Sequence, residues 1–155
     1  MSKIKILFVE DDLPKKAADN MAWILLCDEG YDVIPARTGN EAWNNLMETR
    51  FDLIIFDIML PPNHGAKTPN LSKVQRLDMG LHLLKELKAG AFEPQGTSRD
   101  VPVVVVSAVL GVDRWDKIRG LVGSDHWCLD KPVSPYSLIE VVRRALRNKG
   151  SMQEV

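Results

Sequence analysis

The chain has 155 residues, of which 45% are hydrophobic and 26% charged, so it can bury one globular core but is short for two ordinary domains. Its 20 basic and 21 acidic residues leave a net charge of -1, which gives no overall electrostatic reason to expect nucleic acid or an anionic membrane as a partner. Neither Cys27 nor Cys128 has CxxC or metal-ligand spacing, and no apolar segment approaches membrane-spanning length. These features predict a single soluble domain in a reducing compartment, with the cytoplasm as its expected location.

Segments with the patterns of strands and helices alternate along the whole chain. Apolar runs predict five strands, over residues 4–9, 31–36, 51–57, 101–108 and 125–130. Helical spacing and end signals predict a helix after each strand, over residues 11–30, 38–50, 80–90, 112–123 and 134–150. Five such units predict an α/β fold with a five-stranded parallel sheet, doubly wound into a (βα)5 three-layer sandwich.

Local signals mark the ends of several predicted helices. Asp12 is the expected N-cap of the first helix, and Gly30 is its expected stop. Thr38 and Glu41 have the spacing of a capping box at the start of the second helix. The second helix has a narrow apolar face formed by Ala42, Leu46 and Met47. Ser134 is the expected cap of the last helix.

Two segments interrupt this alternation. Residues 62–78 separate the third strand from its helix with Pro, Asn, Gly and three basic residues, where about two to six residues are usual. We interpret this segment as an insertion whose basic residues form either a docking patch or a solvated loop, and His64 within it as a solvated side chain. Residues 91–100 are also predicted to be a loop. The expected organisation is one domain over residues 1–149 and a tail over residues 150–155.

Polar side chains follow four of the five predicted strands. They are Glu10, Asp11 and Asp12 after the first strand, Asp57 after the third, Ser107 after the fourth and Lys131 after the fifth. Because ligands of open parallel sheets bind at the carboxyl ends of the strands, these side chains are expected to converge. Taken singly, Asp12 is explained as a helix cap, Ser107 as a loop hydrogen bond and Lys131 as an ion pair. Taken together, the crowded carboxylates favour a bound cation, because one lysine does not balance them.

Phosphoryl transfer to a carboxylate is the chemistry that suits this set of residues. Asp57 would be the nucleophile that forms an acyl phosphate, and Glu10 and Asp11 would hold Mg²⁺. Lys131 would neutralise charge on the phosphoryl oxygens, and Ser107 would hydrogen-bond to the bound phosphoryl group. This chemistry explains why a carboxylate stands at the tip of so apolar a strand.

Four short motifs carry a family resemblance. They are "VEDD", "DIMLP", "SA" and "KPVSP", at the ends of the first, third, fourth and fifth strands. In this order they resemble the receiver domain of two-component response regulators, a flavodoxin-like, CheY-like fold. The resemblance implies that Asp57 accepts a phosphoryl group from a histidine kinase or a phosphotransfer protein, with Ser107 as the switch hydroxyl and Lys131 as the active-site lysine. It also implies a Mg²⁺ site formed by Glu10, Asp11, Asp57 and the backbone carbonyl of Met59.

Three departures from the family pattern accompany this resemblance. The insertion separates the "LPP" turn from the helix-start glycine, which we identify as Gly80. The family often has Tyr or Phe as a switch partner three residues before the lysine, and this chain has Cys128 there, next to Trp127. No output domain follows the last helix, so we expect a stand-alone receiver that signals by binding a downstream protein, without direct nucleic-acid binding or membrane insertion.

Three other function classes compete with a phosphorylatable switch. A phosphorylation-independent adaptor would keep the fold, but it would not need the acidic pair, Asp57, Ser107 and Lys131, which are all present. A nucleotide- or flavin-binding protein would have a glycine-rich turn after the first strand, where this chain is acidic. A magnesium-dependent phosphohydrolase would need a second carboxylate two residues after Asp57, where Met59 stands. The sequence favours a signalling phosphoacceptor over an enzyme, with catalysis limited to its own phosphotransfer and slow autodephosphorylation.

Overall fold

A computed structural model describes residues 3–10, 21–58, 73–107, 112–122, 128–131 and 133–153. Strands and helices alternate along these residues in the predicted order. The strands are β1 (Lys5–Val9), β2 (Asp32–Ala36), β3 (Leu53–Asp57), β4 (Val103–Ser107) and β5 (Cys128–Asp130). The helices are α1 (Met21–Asp28), α2 (Gly39–Glu48), α3 (Lys73–Lys88), α4 (Val112–Val122) and α5 (Pro135–Gln153).

The strands form one parallel sheet in the order β2-β1-β3-β4-β5, which confirms the predicted doubly wound α/β fold. The central strand β3 pairs with β1 on one side and with β4 on the other, so that Val9 lies opposite Phe56 and Asp57 lies opposite Val106. Ser107, the last residue of β4, pairs with β5. Four strands therefore end at one edge of the sheet, beside the point where the strand order reverses, which is where such sheets bind ligands.

Side chains of the strands alternate between two apolar layers, one on each face of the sheet. One layer packs residues such as Leu7 and Ile54 against α2, α3 and α4. The other packs residues such as Ile6 and Ile55 against α1 and α5. Because both faces of β3 are covered, every residue of that strand is buried, and its sequence is continuously apolar until Asp57.

Two predicted helix ends have the expected local geometry. Thr38 caps α2, because its Oγ1 accepts a hydrogen bond from the Glu41 N–H at 3.1 Å. The Glu41 carboxylate in turn accepts from the Arg37 N–H at 2.6 Å, one residue earlier than the usual partner in a capping box. Gly30 follows α1 with a φ of 89°, in the left-handed region that favours glycine. The predicted cap Asp12 lies outside the described residues.

The start of α3 corrects the sequence prediction. The helix begins at Lys73 rather than at residue 80, so the loop predicted over residues 62–78 is wrong for its last six positions, and residues 59–72 lie outside the described part. In the sequence, Leu77 and Leu81 already continue the helical spacing of the later leucines. The neighbouring basic residues obscured that spacing.

Gly80 consequently lies inside α3 and not at its start. A Cβ at this position would stand 1.8 Å from the backbone oxygen of Ile58, the residue that follows Asp57. Only a residue without a side chain allows the helix to pack this closely on the backbone after β3.

The last helix is longer than predicted. The helix α5 continues to Gln153, so the tail predicted from residue 150 is helical at its start.

The apolar face of α2 is narrower than predicted. Ala42 and Leu46 are buried as predicted, but Met47 is 45% exposed and does not belong to the apolar face. Met47 directly follows Leu46, and one step of about 100° along a helix turns its side chain away from the core.

The predicted loop before β4 is a loop in the structure, and the side chain of Thr97 within it is fully buried. Thr97 donates a hydrogen bond from Oγ1 to the Thr49 carbonyl at 2.6 Å and accepts one from the Phe51 N–H at 3.2 Å. Its own N–H donates to the Leu46 carbonyl at 2.9 Å. This threonine therefore holds the loop to the end of α2 and the entrance to β3.

Candidate functional site

Asp57 is the last residue of β3, the central strand of the sheet. It is only 5% exposed, because β1 and β4 flank its strand and helices cover both faces. Burying an ionised carboxylate is costly unless a positive charge or hydrogen-bond donors compensate it. The arrangement of Asp57 therefore depends on the groups that surround it.

Lys131, directly after β5, supplies that compensation. Its Nζ lies 2.9 Å from Asp57 Oδ2 and 2.6 Å from Glu10 Oε1, so one ammonium group bridges the residue that follows β1 and the end of β3. The Lys131 N–H also donates to the Ser107 carbonyl at 2.6 Å, which fixes its backbone against β4. Burial opposes the charge on Lys131, but the hydrogen bonds to Asp57 and Glu10 outweigh it and raise the pKa of the lysine above its ordinary value.

The Ser107 hydroxyl is the third polar group at this edge of the sheet. Ser107 is fully buried, and among the described residues its Oγ has no hydrogen-bond partner. Leaving a buried hydroxyl without a partner costs about 1–3 kcal/mol. Ser107 is the last residue of β4, the strand that pairs with β3, and it directly follows Val106, which lies opposite Asp57.

The oxygen atoms at this edge suit a hard cation. Glu10 and Asp57 both reach the same ammonium group, which shows that their carboxylates converge. Oxygen ligands of this kind are those that Mg²⁺ prefers. The other two predicted metal ligands, Asp11 and Met59, lie outside the described residues, and within the described part no three potential metal-binding side chains cluster.

A pocket of about 330 Å³ opens beside the paired groups. Asp57, Glu10 and Lys131 line one side of it, and apolar residues such as Phe8 and Leu138 line the other. The apolar residues of this pocket were not predicted from the sequence. The alternation of side chains along β1 does place Phe8 on the face of the sheet that α5 covers.

The residues expected to replace the aromatic switch partner are only partly described. Cys128 lies in β5, half-buried, and packs against the apolar layer formed with α2, α3 and α4. Trp127 and Pro132 lie outside the described residues.

In the regions that the structure describes, no helix has the length and apolar character required to cross a membrane.

Comparison with known proteins connects this site to a family. The chain is 31% identical to the phosphate regulon transcriptional regulatory protein PhoB of Klebsiella pneumoniae over 149 residues, which are 96% of this chain and 54% of the relative. It is 32% identical to the DNA-binding response regulator MtrA of Mycolicibacterium smegmatis over 144 residues, 92% of this chain and 50% of the relative. No family model matches the chain. The chain spans about half the length of these curated relatives, and a stand-alone receiver stays a prediction.

Solved structures agree with the sequence relatives. A CheY-like response regulator receiver domain from Methanospirillum hungatei JF-1 is similar with a TM-score of 0.68 and 25% identity, over 97% of this chain and 99% of that structure. The receiver domain of the Francisella response regulator 1452 is similar with a TM-score of 0.64 and 28% identity, over 95% and 99% of the two chains. Sequence and fold together identify this chain as a CheY-like receiver domain of the response regulators.

Proposed function

We propose that the chain accepts a phosphoryl group on Asp57 from a histidine kinase or a phosphotransfer protein, with Mg²⁺, and signals by phosphorylation-dependent binding to another protein. One observation carries the proposal: a single ammonium, that of Lys131, contacts both Glu10 and the buried Asp57 at the strand edge. Because the kinases that feed such a transfer use ATP, we propose the cytoplasm as its location. The receiver domain is proposed to span residues 1–149.

The proposed transfer forms one bond and breaks another. An Asp57 carboxylate oxygen attacks the phosphorus of a phosphohistidine, the P–N bond breaks, and its electron pair returns to the imidazole. The product is an acyl phosphate on Asp57. Lys131 is positioned to stabilise the negative charge that spreads over the phosphoryl oxygens, because it already hydrogen-bonds to the attacking carboxylate.

Mg²⁺ suits this site because carboxylate oxygens of Glu10 and Asp57 converge on one point. Glu10, Asp11, Asp57 and the Met59 carbonyl are the residues proposed to hold it. When bound, the ion would neutralise charge on the carboxylates and the phosphoryl oxygens. A bound ion would share with Lys131 the compensation of Glu10 and Asp57, which would leave the lysine available to the phosphoryl group.

Ser107 is proposed to convert the chemistry into a change of shape. Its unused hydroxyl would donate to a phosphoryl oxygen, which satisfies a buried polar group and draws the end of β4 toward Asp57. Because α4 begins at Val112, only a few residues beyond Ser107, that movement would reach the surface formed by α4. A phosphorylation-independent adaptor would derive no benefit from a buried hydroxyl that has no partner among the described residues.

Phosphorylation by a small donor tests this proposal without a cognate kinase. The protein is incubated with acetyl phosphate and Mg²⁺, and its intact mass is measured for wild type, Asp57→Ala and Asp52→Ala. Asp52 is a matched control, because it precedes β3 at the opposite edge of the sheet and accepts a hydrogen bond from the Lys5 N–H at 2.8 Å. We expect one phosphoryl group on wild type and on Asp52→Ala, and none on Asp57→Ala or after chelation of Mg²⁺. A phosphoryl group that persists on Asp57→Ala contradicts the proposal.

A further inference from the structure

A groove of about 590 Å³ lies between α3 and α4. Its lining residues are Leu81, His82 and Lys85 from α3, and Lys117, Gly120 and Leu121 from α4. None of the six is buried, so the groove is open along the two helices. A small ligand is usually enclosed over most of its surface, which this shallow shape does not provide. The shape instead suits a helix or an extended segment of another protein.

The charge of the groove is opposite to the slight negative charge of the whole chain. Among the described residues, its lining contains two lysines and no carboxylate, whereas the net charge of the chain is -1. Within the described part of the chain, neither Lys85 nor Lys117 forms an ion pair. The floor between them contains Leu81 and Leu121, both half-buried and packed on the core. An apolar floor with a cationic rim is complementary to an amphipathic segment that carries carboxylates.

Gly120 is a second, independent observation at the same place. It stands inside α4, where glycine destabilises a helix relative to alanine, and its φ is not positive. No described atom lies within 4 Å of the position that a Cβ would take, so packing against the described residues does not require glycine either. What the missing side chain provides is room, at the centre of the groove, for the close approach of another backbone.

We propose that the groove between α3 and α4 binds an acidic amphipathic helix of a partner protein. Apolar side chains of that helix would pack on Leu81 and Leu121 over Gly120, and its carboxylates would pair with Lys85 and Lys117. A nucleic acid would use the lysines but gain nothing from the leucine floor. The groove shares no lining residue with the pocket at Asp57, so the partner helix would not contact the phosphorylation site itself.

A designed peptide tests the proposal directly. The ¹⁵N-labelled full chain is titrated with a synthetic helix that has leucine at three- and four-residue spacing and glutamate at the other positions. Two comparison ligands are the same peptide with lysine for glutamate and a single-stranded oligonucleotide. We expect saturable shifts of the backbone amides over residues 81–85 and 117–121 with the glutamate peptide alone. No shifts there, equal shifts with the lysine peptide, or stronger shifts with the oligonucleotide would each overturn the proposal.

Variants of the groove residues then test whether the glutamate peptide binds in the groove. Lys85→Glu with Lys117→Glu reverses the rim, and Gly120→Leu fills the centre. The matched control, Lys3→Glu with Lys5→Glu, makes the same change of net charge at the start of β1, where both side chains are exposed. We expect the dissociation constant of the glutamate peptide to rise about tenfold or more in the first two variants and to stay within about twofold in the control. An equal loss in the control, or unchanged binding in Gly120→Leu, contradicts the proposed groove.

Discussion

The Lys131 Nζ lies 2.9 Å from the Asp57 Oδ2, and this pair joins the tip of the central strand to the residue that follows the edge strand β5. Because the Asp57 side chain is almost fully buried, its negative charge depends on that ammonium group whenever no metal ion is present. The contact therefore links the stability of the unphosphorylated protein to the same atoms that are proposed to perform the chemistry.

Lys131→Met should reveal this dependence. The variant removes the ammonium group that both Glu10 and Asp57 contact, and we expect the free energy of unfolding without Mg²⁺ to fall by about 1–3 kcal/mol. Mg²⁺ should restore more stability to the variant than to wild type. Urea denaturation with and without Mg²⁺ measures both effects. Arg143→Met, which removes an exposed pair with Glu29, is the control and should cost less than about 1 kcal/mol; an equal loss in the two variants would refute this account.

The same pair predicts a dependence on alkaline pH. The folded protein holds the pKa of Lys131 above its ordinary value of 10.5, so the stabilisation is fully present below that value and is lost as the pH rises through the folded pKa. The difference in unfolding free energy between wild type and Lys131→Met should therefore stay constant from about pH 7 to about pH 10. Denaturation series at several pH values measure that difference. A difference that does not decrease as the pH rises above 10.5 would mean that the lysine pKa is not raised.

Gly80→Ala should destabilise the fold, because the new methyl group would stand 1.8 Å from the Ile58 oxygen and force α3 away from the strand end. Overpacking of this kind costs about 1–3 kcal/mol or more. Gly120→Ala is the matched control, since no described atom lies within 4 Å of its Cβ position, and it should stabilise α4 by about 0.5–1 kcal/mol. Thermal and urea unfolding of both variants measure the pair. Equal effects at the two glycines would contradict the packing described here.

Ser107→Ala should separate folding from signalling. In the unphosphorylated protein the hydroxyl has no described partner, so its removal should leave the unfolding free energy unchanged or raise it by up to about 1 kcal/mol. Acetyl phosphate with Mg²⁺ should then stabilise the variant less than it stabilises wild type, because the bond to the phosphoryl group is missing. Ser107→Thr, which keeps a hydroxyl, is the comparison. A loss of more than about 2 kcal/mol before phosphorylation would show that the hydroxyl already has a structural role.

Thr97→Val should weaken the attachment of the loop that precedes β4. Valine has a similar shape but leaves the Thr49 carbonyl and the Phe51 N–H without their partner, at a cost of about 2–3 kcal/mol in unfolding free energy. Ser98→Ala, at an exposed position next to it, should cost less than about 1 kcal/mol. Urea denaturation compares the two. A small effect of Thr97→Val would mean that the two hydrogen bonds contribute little.

The sequence was sufficient to predict the parallel sheet, because its apolar runs mark the strands along the chain. It was also sufficient to predict that Glu10, Asp57 and Lys131 lie close together, because parallel strands end at the same edge of a sheet. The start of α3 at Lys73 was not predicted, because the polar and basic residues before Gly80 favoured a loop. The helical spacing of Leu77 and Leu81 outweighs that local preference only when the helix packs on the sheet. Gly80 shows the same limit, since its contact with the Ile58 backbone joins residues far apart in the chain.

Details of the site depended on three-dimensional packing. The sequence predicts that these side chains converge, but whether one ammonium group reaches two carboxylates depends on how the side chains from three strand ends are placed. That the Ser107 hydroxyl has no hydrogen-bond partner in the described part of the chain likewise follows from its surroundings and not from residue type. The groove over Gly120 arises between two helices whose spacing no local pattern encodes.

Chemical mapping of the phosphoryl group tests the central claim most directly. The protein is phosphorylated with acetyl phosphate and Mg²⁺ and then treated with borohydride, which reduces an acyl phosphate to an alcohol and so converts a phosphorylated aspartate into homoserine. Peptide mass analysis then locates the modified residue. We expect homoserine at position 57 alone, and none when Mg²⁺ is chelated before the donor is added. Homoserine at another aspartate, or a phosphorylated protein that yields no homoserine, would contradict the assignment of Asp57 as the phosphoacceptor.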